Sequence, residues 1–290
     1  MAAGLGDGGA MEAMTMDDLE LAIEPWLSHM TWRSDYATWR ERRINQERYQ
    51  AERIAQAERF AGSIAGQRLL DLGAGMGGFA VAAALAGADV TISEYNPAYC
   101  GIARLRAERH GLALPVVNAA GEALPLPAEQ FDVVVCWDVI EHVAQPERVL
   151  AEVSRVLRPG GHALLTAINR LAWVDPHYHI AGLNYLPRPL AETIIGWRGR
   201  SKAGAAFHDM QRLSAMHYYG YDAFAALAGR CGFDMRDMRR DALRAGTLAS
   251  PKPTRRAIRR ALRAVGLEDA AYLLQRHFYV GMFELALTKR

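Results

Sequence analysis

Between Arg68 and Thr166 the chain alternates between two hydrophobic periods. Short, nearly continuous apolar runs predict strands: RLLDL at 68–72, ADVTIS at 88–93, LPVVN at 114–118, FDVVVCW at 131–137 and HALLTAI at 162–168. Between them NPAYCGIARLRAERHG (96–111) and PERVLAEVSRVLRPGG (146–161) carry helical spacing. Strands separated by helices of this length imply βαβ units and a parallel sheet covered on both faces, hence a doubly wound α/β fold. Residues 16–62 read as an N-terminal helical lid, with Thr15 as the N-cap and one long polar helix through TWRERRINQERYQAERIAQAERF. Trp26, Trp32 and Trp39 in that region are expected to pack on the main domain, 63–290, or to close over a pocket. Residues 1–15, rich in Gly, Ala and Met, read as a mobile terminus. A less regular insertion occupies 169–215, followed by a helix in YDAFAALAGRCG, a strand from Phe233 and a last strand in HFYVGMFELALTKR.

A chain of 290 residues, 51% hydrophobic, buries one large core or a core with a cap, and its net charge of +2 gives no global field for nucleic acid. Cys100, Cys136 and Cys231 are odd in number and lack metal-ribbon spacing, so they read as reduced thiols. There is no secretory leader pattern and no run near the ~18 apolar residues of a membrane span. The expected location is cytoplasmic, with contact at the inner membrane surface left open.

The chemistry begins at LLDLGAGMGGFA, where Gly73, Gly75, Gly77 and Gly78 follow a strand and open a helix. Such a turn lets a ligand lie against bare backbone at the carboxyl end of the sheet. Glu94, ending the next strand, is placed to accept from two ribose hydroxyls. Gly73, Gly75 and Gly78 also satisfy GxGxxG, so nicotinamide and flavin ligands stay open at this point.

The order DLGAGMGGFA, ISEYNP, GEALPLP, FDVVVCWDVIEHV and VLRPGG resembles class I S-adenosylmethionine-dependent methyltransferases of the ubiquinone-biosynthesis O-methyltransferase type. The resemblance implies a seven-stranded, mostly parallel, Rossmann-like sheet whose last strand is antiparallel. It places Asp71 near the cofactor's amino group, Gly73 and Gly75 beneath its methionine and ribose, Glu94 on the ribose diol and Tyr95 on adenine. Gly121 and Glu122 flank the adenine edge, and Met76, Gly77, Asn96, Ala120 and Trp137 complete the cofactor set. Many relatives carry Asp where this chain has Ala120, which cannot accept from the adenine amino group; backbone atoms or Asn118 take that part.

Directly after the fourth strand, WDVIEHV brings Asp138, Glu141 and His142 onto what reads as one helical turn. It resembles the ExxEH string with which ubiquinone and small-RNA 2′-O-methyltransferases hold a divalent metal. Asp138, Glu141 and His142 are therefore candidate ligands for Mg²⁺, Mn²⁺ or Zn²⁺, with a further ligand from His177, His179 or His208. Asp138 is one methylene shorter than the usual Glu. His142 and Asp138 are also the candidate catalytic groups; a plain helix start is the alternative. The insertion supplies candidate acceptor contacts, Asn169, Arg170, His177, Tyr178, His179 and Asn184, each with loop packing as its alternative. Finally, PKPTRRAIRRALRAVG contains a basic amphipathic segment, 251–265, whose apolar stripe is expected to pack on the domain, or, over 254–265, to meet an anionic lipid surface. The expected activity is methyl transfer to a small-molecule acceptor, lipid-like or anionic, at an oxygen. RNA ribose methylation and non-catalytic cofactor binding are the alternatives, and nucleic acid lacks a recognisable binding module.

Overall fold

The computed structural model describes residues 17–31, 33–199, 211–248 and 252–290. Residues 1–15, Trp32 and His208 lie outside them.

The chain opens with α1 (Asp18–Leu27), α2 (Tyr36–Ile44), a 3₁₀ turn (Gln46–Tyr49) and α3 (Ala51–Ala61). The single long polar helix expected here is thus interrupted, at Asn45 and Gln50, and α1 is capped by Asp17, whose Oδ1 accepts from the Glu20 N–H. The break has a packing cause: the 3₁₀ turn lays Gln46 against Gly78, where a Cβ would stand 2.6 Å from the Gln46 side chain. Trp26 meets Tyr99 edge-on at 4.8 Å, and Trp39 joins the same small cluster, so both tryptophans pack as expected.

The doubly wound part follows as β1 (Arg68–Leu72), α4 (Gly78–Leu85), β2 (Asp89–Glu94), α5 (Pro97–Glu108), β3 (Val116–Asn118), β4 (Phe131–Cys136), α6 (Pro146–Val156) and β5 (Leu157–Ile168). Helix α6 stops five residues before its expected end. Pro159 to Gly161 instead form an irregular start to β5, marked by a register shift against β4. The rest is α7 (Arg188–Trp197), α8 (Tyr221–Arg230), β6 (Phe233–Asp237), α9 (Met238–Arg244), α10 (Pro253–Ala264), α11 (Glu268–Phe278) and β7 (Met282–Lys289). His277 and Phe278, expected in the last strand, end α11.

The sheet runs β3-β2-β1-β4-β5-β7-β6, parallel except for β7, which is antiparallel to both β5 and β6. Strand order reverses between β1 and β4, so the crevice at their carboxyl ends is the topological switch point. Leu69, Val133 and Leu164 face α3 and α4, while Leu70, Val134 and Leu165 face α6 and α8, giving two cores from alternating side chains. The insertion after β5 has a small core of its own around Tyr178, Leu183, Ala191, Ile195 and Leu213.

Helix α10 corrects an expectation. None of its residues is buried, and Ile258 is 59% exposed; it is held through its arginines, Arg259 and Arg263 pairing with Glu268 and donating to the Leu248 and Leu243 carbonyls. The apolar stripe does not dock on the domain. No helix among the described residues is long and apolar enough to cross a membrane.

One buried cation joins the N-terminal segment to the sheet. Arg106 of α5 is fully buried and donates to the Met76 carbonyl at 2.7 Å, the Arg43 carbonyl at 2.9 Å, the Ile44 carbonyl and the Glu47 carboxylate. Glu47 also receives Arg109 at 2.7 Å and meets the His110 ring at 3.1 Å. Removing one member of such a pair leaves the other charge buried without compensation. Arg106→Leu is expected to lower unfolding free energy by about 3–5 kcal/mol in urea titrations, and the double variant with Glu47→Leu to recover part of it. A single-variant loss below about 1 kcal/mol would refute this.

Candidate active site

At the switch point the glycines divide by role. A Cβ on Gly73 would stand 2.5 Å from Val139, and one on Gly77 2.8 Å from Ala103. Gly78 lies against Gln46. These three are required by the protein's own packing. Gly75 differs: φ is +55° and nothing lies within 4 Å of where its Cβ would be, so its bare face is turned to open space.

The neighbouring groups shape that space. Asp71 is buried, and its Oδ2 has no hydrogen-bond partner. Burial pushes its carboxyl up to about 7, against the pull of Arg53. Glu94 is also buried; Oε2 accepts from the Gly75 N–H and Oε1 from the Asn96 N–H, both at 2.8 Å, so the acid that follows the loop also fastens it. Asn96 caps α5, Met76 packs beside α1, and Tyr95 is 76% exposed at the rim. Asn118 donates to the Glu94 and Tyr95 carbonyls, closing the loop between β2 and β3. Ala120 and Gly121 line the next turn, whereas Glu122 points away to the start of α6, accepting from the Ala144 and Gln145 N–H groups.

The segment after β4 departs from the helix expected of it. Residues 137–142 form turns, and Asp138 takes φ +59°, a conformation that Asp tolerates better than most residues. The turn splits the DxxEH group. Asp138 points to the α3 side: it accepts from Arg53 at 2.9 Å and from the Thr166 hydroxyl at 3.0 Å. It therefore does not converge with Glu141 and His142. Those two meet His177 of the insertion instead, one ligand atom of each lying within 4.8 Å of the others. Glu141 is fully buried with neither carboxylate oxygen hydrogen-bonded; burial and the Asp138 charge push it up to about 7. Such a group calls for a proton or a cation. One carboxylate and two imidazoles form a donor set that suits Zn²⁺ or Mn²⁺ better than Mg²⁺.

On the α3 side, a cleft of about 570 Å³ opens between the N-terminal segment and the ends of β4, β5 and β7. Trp137 forms part of its wall, with the Arg53 guanidinium 5.3 Å over the indole. Arg43, Gln50, Arg53, Gln56, Thr166 and Glu284 also line it, and sequence reasoning named none of them. Two signals pointed there: a polar N-terminal segment with more arginine than a surface helix needs, and one acid, Glu284, inside the apolar strand MFELALTK. Glu284 accepts from Gln56 at 3.2 Å, and burial raises its carboxyl above the usual range.

The acceptor candidates in the insertion fall into two groups. Asn169 is buried and structural, its amide donating to the Arg276, His277 and Val280 carbonyls. Asn184 is likewise buried on the Ala172 carbonyl, and Tyr178 belongs to the insertion's core. His179, at φ +53°, is exposed. These four do not gather at the site. His177 does, and Arg170 lies within electrostatic range of Arg188.

Comparison with known proteins shows what the chain resembles. Residues 70–165 match the family described as Methyltransferase domain. A ubiquinone biosynthesis O-methyltransferase of Cereibacter sphaeroides is 40% identical over 105 residues, 36% of this chain and 42% of that protein. The namesake enzyme of Acinetobacter baylyi is 29% identical over 182 residues, 57% of this chain and 73% of its own. The chain thus spans less than half the length of the first of these relatives. An S-adenosylmethionine-dependent methyltransferase structure from Mesorhizobium loti superposes with a TM-score of 0.50 at 18% identity, over 78% of this chain and 93% of that one, a likeness of fold.

Asp71 yields a pH signature in the ligand-free protein. Its pKa is raised from an ordinary 3.8 to about 7. The fold therefore gains from Asp71 below pH ~4 and loses that gain as pH rises through about 7. Asp71→Asn is expected to reduce the fall in unfolding free energy between pH 4 and 7 by up to about 1.4 kcal/mol per pH unit, leaving the share of Glu141. Identical slopes in both proteins would refute the assignment.

Proposed function

From the class I S-adenosylmethionine-dependent methyltransferase domain that this chain carries, we propose that the protein transfers the cofactor's methyl group to a hydroxyl oxygen of a small-molecule acceptor. The observation that carries the reading is the open face of Gly75 between Asp71, whose Oδ2 has no hydrogen-bond partner, and Glu94, at the sheet's switch point. Asp71 suits the α-ammonium of the methionine moiety and Arg43 or Arg53 of the cleft its α-carboxylate, while Glu94 keeps acceptor capacity for the ribose diol. Names of the curated relatives support an oxygen acceptor.

The sulfonium methyl is already activated, so the protein has to hold the acceptor oxygen in line and take its proton. The oxygen–carbon bond forms as the sulfur–carbon bond breaks, and the hydroxyl proton passes to a base. Glu141, titrating at about 7, and the adjoining His142, 3.9 Å away, are suited to that part. A second reading rests on the convergence of Glu141, His142 and His177: a divalent cation held there when bound would lower the acceptor's pKa.

Isothermal titration with S-adenosylhomocysteine is expected to give one site per chain, abolished by Gly75→Val without loss of the folded far-ultraviolet spectrum. Labelled methyl groups from S-adenosylmethionine are expected in the small-molecule fraction of a cell extract. Absence of binding would remove the cofactor reading; binding with no transfer to any fraction would favour a non-catalytic role, and label in RNA the ribose alternative.

The cation is tested separately by elemental analysis after equilibration with Zn²⁺ or Mn²⁺ and gel filtration. One equivalent is expected in the native chain and none in Glu141→Gln or His177→Ala, with Asp138→Ala unaffected. Metal content that ignores the first two substitutions would eliminate the site.

A further inference from the structure

Beside the Glu141, His142 and His177 group the insertion holds two arginines that the chemistry above does not use. Arg188, the first residue of α7, lies with its guanidinium 4.5 Å over the Tyr218 ring. Its Nη1 is buried and has no hydrogen-bond partner. Arg170, just past the end of β5, bears on it as a like charge. Neither arginine makes an ion pair or a side-chain hydrogen bond among the described residues. Several other arginines of the fold, Arg106, Arg240 and Arg276 among them, have carboxylate partners.

Two acids, Asp175 and Glu192, bear on Arg188 as opposite charges, but neither forms an ion pair with it among the described residues, and the buried Oδ2 of Asp175 has no hydrogen-bond partner. Asp175 is fully buried, its Oδ1 accepting from the His177 and Tyr178 N–H groups, and Glu192 accepts from the Ser214 N–H at 2.9 Å. A guanidinium that is partly desolvated, short of an acceptor at Nη1 and within electrostatic range of a second cation gains from an added anion. The fork of a guanidinium matches the two oxygens of a carboxylate or phosphate. The position is informative as well. The Tyr218 ring is 6.3 Å from that of His177, which is 5.4 Å from that of His142. Arg188 therefore stands one aromatic layer from the groups proposed to handle the reacting oxygen.

We propose that Arg170 and Arg188 form an oxyanion subsite, which binds a carboxylate or phosphate carried by the same acceptor whose hydroxyl is methylated. The proposal rests on the methyl-transfer reading and narrows it to acidic acceptors. Tyr218 walls the subsite on the side of His177, and the subsite sets the acceptor's orientation without touching the reacting atoms.

The test uses the full chain saturated with S-adenosylhomocysteine and titrated calorimetrically with benzoate, phenyl phosphate and phenol, the last being their neutral counterpart. At least one oxyanion is expected to bind at least tenfold more tightly than phenol, and the tighter of the two identifies the group. Arg170→Met, on a partly exposed loop, is expected to reduce oxyanion affinity at least tenfold while leaving S-adenosylhomocysteine affinity and the thermal midpoint unchanged. Arg188→Met should reduce it further, and Arg188→Lys should restore only part, because the charge returns without the fork. Phenol binding as well as the acids, oxyanion affinity that survives both methionine variants, or no oxyanion binding at millimolar concentration would each overturn the subsite. Failure to bind S-adenosylhomocysteine would instead remove the cofactor reading, and the same titrations on the free protein would then decide the subsite by the same criteria.

Discussion

The Arg106 guanidinium is the constraint on which the site depends. It is fully buried, and the acceptors around it come from two separate parts of the chain: the Met76 carbonyl inside the glycine loop, and the carbonyls of Arg43 and Ile44 with the Glu47 carboxylate in the N-terminal segment. A buried charge tolerates few arrangements, because each lost acceptor leaves a desolvated donor behind. The loop beneath the open face of Gly75 and the cleft wall bearing Arg43, Gln50 and Arg53 are thus tied to each other through this side chain. Other contacts support the same placement: Gln46 lies against Gly78, Arg53 donates to Asp138, Gln56 donates to Glu284, and Ala57 is buried in the main core.

Much of this was legible in the chain. Apolar runs of strand length alternating with amphipathic helices specify a parallel sheet, and DLGAGMGG followed by Glu94 specifies its ligand edge. The pattern does not say which glycine faces the ligand. Gly73, Gly77 and Gly78 are glycine because Val139, Ala103 and Gln46 are too close, and those contacts come from elements distant in sequence. Spacing rules see a turn that needs small residues; only packing separates the turn's own requirement from the ligand's.

The less legible part concerns loops. WDVIEHV reads as one helical turn, yet the positive φ of Asp138 sends its carboxylate to Arg53 and Thr166, on the α3 side. His177 replaces it beside Glu141 and His142, from a loop whose path is set by Asp175 accepting two backbone N–H groups. Asn169 looked like a contact residue because polar side chains after a strand end often are. Its amide instead organises the carbonyls at the end of α11, which lie more than a hundred residues further along. In α10 the amphipathic pattern was read correctly and its orientation was not: Glu268 draws Arg259 and Arg263 inward and turns Ile258 out. Periodicity identifies two faces, and the charges of the neighbouring element decide which one docks.

These features share one physical logic. Most buried charges in this fold have partners, as Arg106 has Glu47 and Asp237 has Tyr272 and Arg276. Among the described residues, Asp71, Glu141 and Arg188, with Asp175 close to the last, each have at least one buried atom without a hydrogen-bond partner near the ends of β1, β4 and β5. Their signs differ, so they are not one electrostatic patch that a single counter-ion would neutralise. Taken together they call for an ammonium at Asp71, a proton or cation at Glu141 and an oxyanion at Arg188. Desolvation without a partner is unfavourable in the free protein, and each group recovers that free energy only when its complement arrives. Selectivity then follows from the fold itself, because a molecule that lacks one of the complements leaves a buried charge exposed to no compensating group.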